Sequence, residues 1–328
     1  MKIAIVKLSA MGDIIHAMVA LQQIKKEQPN IQIDWIVEQG FRQVLENNPD
    51  IDNILTINLK ALKTDKMALF SEIKKIKSYA RNNYDLVIDA QGLLKSAITS
   101  KLLGKTVAGF SKNSIREGIA STFYSQTVEI DYAKNAIERN IKVLCEPLGI
   151  KMNKEEILNK KTFLYFTTNT LLPIEIENYV LFVVGASKEN KIYPKKYFLE
   201  IAKQLNEKIL VIWANDYEKE VAEYLEQHLD NVAASPKLNL DELKRIVSES
   251  KLVIGGDTGP THMAWALNIP SVTIFGNTPE YRNTYITSIN KVVKSNTFVN
   301  PLKLDKTDFS IHEIAPKKIV TIAKELLE

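Results

Sequence analysis

The chain has 328 residues, 45% hydrophobic and 25% charged, which is enough apolar material for two cored domains and too much for a disordered chain. Its net charge of +4 falls short of a nucleic-acid-binding stripe and suits an anionic small substrate or an anionic membrane surface. No run approaches the roughly 20 apolar residues of a spanning helix, no signal-peptide pattern opens the chain, and the lone Cys145 allows no intramolecular disulfide, so a reducing cytoplasm is expected.

In chain order, Lys2–Lys7 is apolar on both faces and predicts a central strand of a parallel sheet. It runs into Ser9-Ala-Met-Gly-Asp-Ile-Ile-His16, a glycine turn that opens a helix continuing over His16–Glu27. Gly12 lets a second molecule approach the backbone, and Asp13 falls in the first helical turn, where the dipole favours an ionised carboxylate. On physical grounds Asp13 serves equally as a helix cap or as a base for an attacking hydroxyl. His16 reads as a surface or packing residue of that helix. Strands follow at Gln32–Val37, Asn53–Ile57, Leu86–Asp89 and Lys105–Phe110, with a helix over Ser71–Asn82. Cys145 lies on the apolar face of a helix and reads as packing.

Residues 1–155 thus form one α/β domain, and 156–178, rich in Lys, Asn, Thr and Pro, read as a connection. A second α/β domain spans 179–310, with strands at Tyr179–Val184, Ile209–Trp213, Leu252–Ile254 and Ser271–Phe275. Its helices are at Tyr197–Asn206, Glu218–His228, Leu240–Glu249 and Thr261–Leu267. Residues 311–328 give a closing helix, able to pack back on the first domain. Between two apolar runs stands Gly256-Asp-Thr-Gly-Pro-Thr-His262. Pro260 suits the first helical turn. The free amides of Thr258, Gly259 and Thr261, with both threonine hydroxyls, make a pocket suited to a diphosphate. Asp257 repels phosphate and is expected to meet sugar hydroxyls, while His262 is placed to donate to a phosphate oxygen. The bland alternative, an ordinary capped helix start, leaves this run of polar and turn residues unexplained. Two such glycine turns suggest parallel α/β domains facing each other across one cleft, an arrangement suited to two substrates. Neither has G-x-G-x-x-G or Walker spacing. The scattered histidines (His16, His228, His262, His312) suggest no metal site, and Asp305-Lys-Thr-Asp308 reads as a surface turn.

Ser9–His16, Asp89-Ala-Gln-Gly-Leu-Leu-Lys-Ser96 and Gly256–His262 together resemble the ADP-heptose:lipopolysaccharide heptosyltransferases, inverting glycosyltransferases of the GT-B architecture with two Rossmann-like domains. The resemblance covers essentially the whole chain. The first two motifs and Thr258 favour the branch that adds the first heptose to Kdo-lipid A. It implies ADP-L-glycero-β-D-manno-heptose as donor substrate, with no cofactor, no metal and no nucleic-acid partner. It also implies peripheral attachment at the cytoplasmic face of the inner membrane. By position, Asp13 matches the catalytic base. Ser187 and Lys191 match a phosphate loop, with Lys191 also stabilising the leaving group. Leu238 matches an adenine contact, Asp257 a heptose contact, and Thr258, Gly259, Thr261 and His262 the diphosphate site. Asp216 stands near the family's ribose glutamate. Gly12, Gln91, Arg116 and Arg139 fall on the acceptor side, where Lys60 and Lys63 form a basic loop. Asn135 replaces an expected histidine. The rival expectations are another nucleotide-sugar enzyme of this fold, such as the second heptosyltransferase or a hydrolysing epimerase, and a non-catalytic nucleotide-sugar sensor.

Overall fold

The structure, a computed structural model, describes residues 1–61, 68–167 and 172–328. It divides into two units, Met1–Tyr165 and Phe166–Glu328, each built on its own sheet.

The first unit runs β1 (Lys2–Val6), α1 (Met11–Glu27), β2 (Gln32–Glu38), α2 (Arg42–Leu45), β3 (Asn53–Ile57), α3 (Ala68–Tyr79) and β4 (Leu86–Asp89). It continues through α4 (Leu94–Leu103), β5 (Val107–Phe110), β6 (Gln126–Val128), α5 (Ala136–Cys145) and α6 (Lys154–Leu158). Its sheet has the order β3-β2-β1-β4-β5-β6, with every neighbouring pair parallel. Ile3, Ala4, Ile5 and Val6 are fully buried, as a central strand with two apolar faces requires. The chain builds outward from β1 to β3 and then returns to the other flank of β1 for β4. Strand order therefore reverses between β1 and β4. At such a switch point the connections diverge and leave a ligand crevice at the strands' carboxyl ends. The pairs α1–α5 and α3–α4 pack separately, as helices on the two faces of a doubly wound sheet do.

The second unit runs β7 (Tyr179–Val183), α7 (Lys195–Leu205), β8 (Lys208–Ile212), α8 (Asp216–His228), β9 (Val232–Ala234) and α9 (Leu240–Glu249). There follow β10 (Leu252–Gly256), α10 (Gly259–Ala266), β11 (Ser271–Phe275), α11 (Glu280–Asn283), β12 (Asn290–Lys294) and α12 (Pro316–Leu327). The order β12-β11-β10-β7-β8-β9 repeats the first topology, again all parallel, with its switch point between β7 and β10. Phe182, Val211, Ile254 and Ile274 form the core with Ile319, Val320 and Ala323 of α12, which packs beside α7.

Strands β6, β9 and β12 escape the sequence reading, and all three are sheet edges. An edge strand has no two-faced burial to demand a continuous apolar run, and β6 and β9 are only 3 residues long. Cys145 is buried as expected; burial and the nearby Glu156 push its thiol up to about 12, so it is inert as a nucleophile.

Candidate active site

The first switch point carries the amino-terminal motif. α1 begins at Met11, five residues earlier than the periodicity suggests, so Gly12 and Asp13 lie inside its first turn. Asp13 is exposed and accepts a hydrogen bond from the Ala10 amide at 3.3 Å. It is thus both a helix-start acceptor and a carboxylate presented to solvent at the sheet edge. His16 is buried.

The loop bearing Asp13 is fixed from β4. Gln91 Oε1 accepts from the amides of Leu8 and Ser9 at 3.0 and 3.1 Å, so its carbonyl braces the turn. Gln91 in turn rests on Asp89. This fully buried carboxylate accepts from the amides of Gln91 and Gly92 (2.8 and 3.1 Å), the Ser96 hydroxyl (2.8 Å) and the Tyr124 hydroxyl (2.8 Å). Burial pushes the Asp89 carboxyl above its ordinary range, and these donors oppose that rise. The sequence marked Asp89 only as a motif member. At the adjacent strand end Glu38 is also buried; burial raises its carboxyl, against the charges of Lys95 and Lys60.

The expected acceptor cations separate. Arg116 is exposed after β5, and Lys60 is exposed with its ammonium over the Phe41 ring at 4.7 Å. Lys63 lies outside the described residues. Arg139 departs from expectation. It is buried, donates to the carbonyls of Ile130 (3.2 Å), Asp131 (2.8 Å) and Ser114 (2.5 Å), and lies against the rings of Phe110 and Tyr132. Its guanidinium therefore braces the loop that carries Arg116. Asn135 caps α5 through the Ile137 amide.

At the second switch point Asp257 gathers a dense set of donors. Its Oδ2 accepts from Lys191 Nζ (2.8 Å), Thr278 Oγ1 (3.0 Å) and Asn283 Nδ2 (3.0 Å), and its Oδ1 faces His262 Nε2 at 3.2 Å. Burial alone would favour the neutral acid. Lys191 and His262 outweigh it and hold the carboxyl well below the usual range. Asp257 is thus first of all the counter-ion of Lys191, which the sequence did not indicate. A carboxylate offers about four acceptor sites, so Oδ1 keeps room for a sugar hydroxyl. Lys191 spends one of its three donors on Asp257 and retains two for an anion.

Helix α10 opens here with Thr258 as its first flanking residue and Gly259 and Pro260 in its first turn. Thr261 corrects an expectation. It is buried, and its hydroxyl donates to the carbonyls of Gly256 (2.8 Å) and Thr258 (2.7 Å), closing the helix start instead of reaching outward. The outward hydroxyl of the pair is left to Thr258. Ser187 is exposed in the loop after β7, and Leu238 is half-buried in the loop before α9.

Two carboxylates stand near the expected ribose position. Asp216 is the exposed first residue of α8. Glu218, two residues on, turns back toward β7: a Cβ on Gly185 would overlap its carboxylate. Glu218 accepts from the Ala214 amide and Asn215 Nδ2, both at 2.7 Å, which orients it at the strand ends. Its sequence signal was the capping pattern Asn215-Asp-Tyr-Glu218 with a glycine after β7.

Residues 73–309 match the model of glycosyltransferase family 9 (heptosyltransferase). Over 99% of its length the chain is 37% identical to lipopolysaccharide heptosyltransferase 1 of Campylobacter coli, 99% of which is covered. It is 30% identical to lipopolysaccharide heptosyltransferase 1 of Escherichia coli (strain K12), over 85% of this chain and 88% of that protein. Among solved structures, E. coli heptosyltransferase WaaC with ADP-2-deoxy-2-fluoro heptose superposes with a TM-score of 0.80 at 26% identity, covering 99% of both chains. The fold is also that of E. coli ADP-heptose lps heptosyltransferase II, with a TM-score of 0.73 at 18% identity, covering 100% of this chain and 98% of that one.

Proposed function

The chain belongs to glycosyltransferase family 9, the heptosyltransferases, and on that footing we propose that it moves L-glycero-D-manno-heptose from ADP-L-glycero-β-D-manno-heptose to Kdo of Kdo-lipid A, in lipopolysaccharide inner-core assembly. The reaction is a displacement with inversion. Asp13 takes the proton from the Kdo hydroxyl as its oxygen bonds to the anomeric carbon. The bond from that carbon to the diphosphate oxygen breaks, and its electron pair leaves with ADP. Lys191 and the amides at the start of α10 meet the charge that grows on the leaving diphosphate. No resident metal is part of this reading. Among the described residues no group of three His, Cys, Asp or Glu is gathered to hold one.

Roles follow from position and chemistry. Ser187, Thr258, Gly259 and His262 receive the diphosphate with Lys191. Asp257 holds Lys191 and turns Oδ1 to the heptose. Glu218, in preference to Asp216, binds the ribose hydroxyls, and Leu238 packs on adenine. Arg116 and Lys60 meet the acceptor's carboxylates, while Gln91 positions the loop of Asp13 and Arg139 the loop of Arg116. A lipid-borne acceptor places the enzyme at the cytoplasmic face of the inner membrane, as a peripheral protein. Among the described residues no helix is long and apolar enough to cross a membrane.

The observation that supports this reading best is the chemistry at the two switch points. An exposed carboxylate stands at one and a cation-lined helix start at the other, in a chain similar along 99% of its length to a heptosyltransferase 1. The test is incubation with ADP-heptose and Kdo-lipid A, followed by mass spectrometry of the lipid. A gain of one heptosyl unit is expected. An unchanged lipid alongside tight donor binding would instead indicate a sensor, and transfer confined to an already heptosylated acceptor would indicate the second enzyme of the pathway.

A further inference from the structure

At the carboxyl edge of the first sheet, apart from the residues given roles above, exposed apolar side chains gather among cations. The start of α3 presents Leu69 and Phe70 (71% exposed), the start of α4 presents Leu94 and Ile98 (43%), and the 118–123 turn after β5 presents Ile119 (63%). Their proximity follows from the topology. α3 and α4 each return from the carboxyl end of a parallel strand, so both begin at this edge. α3 packs on α4, and α4 on the 118–123 turn. Glu117 ties that turn to the helix by accepting from the Leu94 amide at 2.7 Å. Leu94 and Ile98 are four residues apart and share one helix face, while Ala97, Ser100 and Leu103 face the interior.

Basic residues outnumber acidic ones around these side chains. Lys60, Lys95, Lys112 and Arg116 are exposed. The acids nearby are engaged by backbone amides, Glu72 by Asn58 at 2.9 Å and Glu117 by Leu94. A single exposed leucine carries no information. Several large apolar groups at one edge, interspersed with exposed cations, have the composition of a surface that lies in a lipid headgroup layer.

We propose that this edge of the first unit docks on an anionic bilayer, with Phe70, Leu94, Ile98 and Ile119 entering the boundary between headgroups and acyl chains. Lys95 and Lys112 then pair with lipid phosphates. The cationic surround favours a lipid surface over an apolar protein partner. The proposal rests on the transferase reading, in which a lipid-borne acceptor must reach Asp13 at this same sheet edge.

The full chain is sedimented with vesicles of phosphatidylglycerol mixed with phosphatidylcholine, and with vesicles of phosphatidylcholine alone. Binding to the anionic vesicles, weakened by salt, is expected. The Phe70→Gln/Ile98→Gln/Ile119→Gln variant should partition at least about tenfold less, and Lys112→Glu about fivefold less on the anionic vesicles. All three proteins should keep wild-type circular dichroism and ADP binding. The triple variant should still transfer heptose to a delipidated Kdo oligosaccharide and lose rate on vesicle-embedded Kdo-lipid A. Undiminished vesicle binding by the folded triple variant overturns the proposal. So does a wild-type dimer in lipid-free solution that the triple variant abolishes, since the face would then join two copies of the chain. If the wild type transfers to neither acceptor, the transferase reading falls, and the vesicle measurements still decide the docking surface.

Discussion

Asp257 sits where burial alone would keep its carboxyl neutral, and the Lys191 ammonium, with the His262 ring beside it, reverses that preference. Its folded pKa is depressed, so the stability it contributes is present above the ordinary aspartate value of about 3.9 and is lost as pH falls through the folded value. Asp257→Asn should therefore melt well below the wild type at neutral pH, and the gap should close on acidification, once the wild-type carboxyl also takes a proton. A gap that stays constant in melts from neutral to acid pH would remove the ion pair from the account. Asp13 differs in kind, since it is exposed and accepts a hydrogen bond from the Ala10 amide. Asp13→Ala should cost under about 1 kcal/mol of stability and reduce transfer by about 10²–10⁴-fold, with ADP affinity unchanged by calorimetry. Wild-type turnover in that variant would refute the assigned base. The ribose assignment is tested by a pair of substitutions. Glu218→Ala should weaken ADP binding by about 10- to 100-fold, whereas Asp216→Ala should leave it near wild type, and the reverse order would restore Asp216 to the role.

At the scale of elements, the helix starts at the switch points, to which the proposed mechanism assigns the chemistry, are each secured by a side chain that faces inward. Thr261 closes α10 by bonding both the last residue of β10 and the residue that flanks the helix. Thr261→Ala should cost roughly 1–2 kcal/mol, which lowers the melting temperature of the second unit by roughly 2–8 °C. Thr261→Ser should restore most of the loss in calorimetry, because the hydroxyl rather than the methyl group makes these bonds. Asp89 does the equivalent work for the first unit. It orders the turn after β4 through two amides, and Gln91 passes that order to the loop of Asp13. Exposed Asp13 thus rests on a fully buried support.

At the scale of the molecule, two units share one topology, and ligand linkage should separate the roles proposed for them. ADP binds the second unit in this account, and at about 100 times its dissociation constant it stabilises by about 2.7 kcal/mol. Amide exchange should slow at the ends of β7 and β10 and in the first turn of α10, and stay unchanged in β1–β6. Equal slowing in both sheets would contradict the division. Much of the fold was legible in advance because β1, β7 and β10 are buried on both faces and so read as unbroken apolar runs. Of the edge strands, β3 was read at its observed bounds while β6, β9 and β12 were not, since half-solvated pairing leaves no such run.

The sequence by itself determined the alternation that makes two parallel sheets and the turns that place Asp13 and Asp257 at strand ends, because both follow from local apolar patterning and helix-start chemistry. Only the tertiary structure decided that Asp257 neutralises Lys191, that Thr261 turns inward, that Arg139 is consumed by carbonyls and rings, and that Glu218 rather than Asp216 leans over Gly185. Thr261 finds its partners within 5 residues, but the other choices depend on contacts between segments farther apart along the chain, such as the 66 residues between Lys191 and Asp257. Residue type and spacing do not fix which buried group finds which donor; the packing of strand against strand and helix against sheet does.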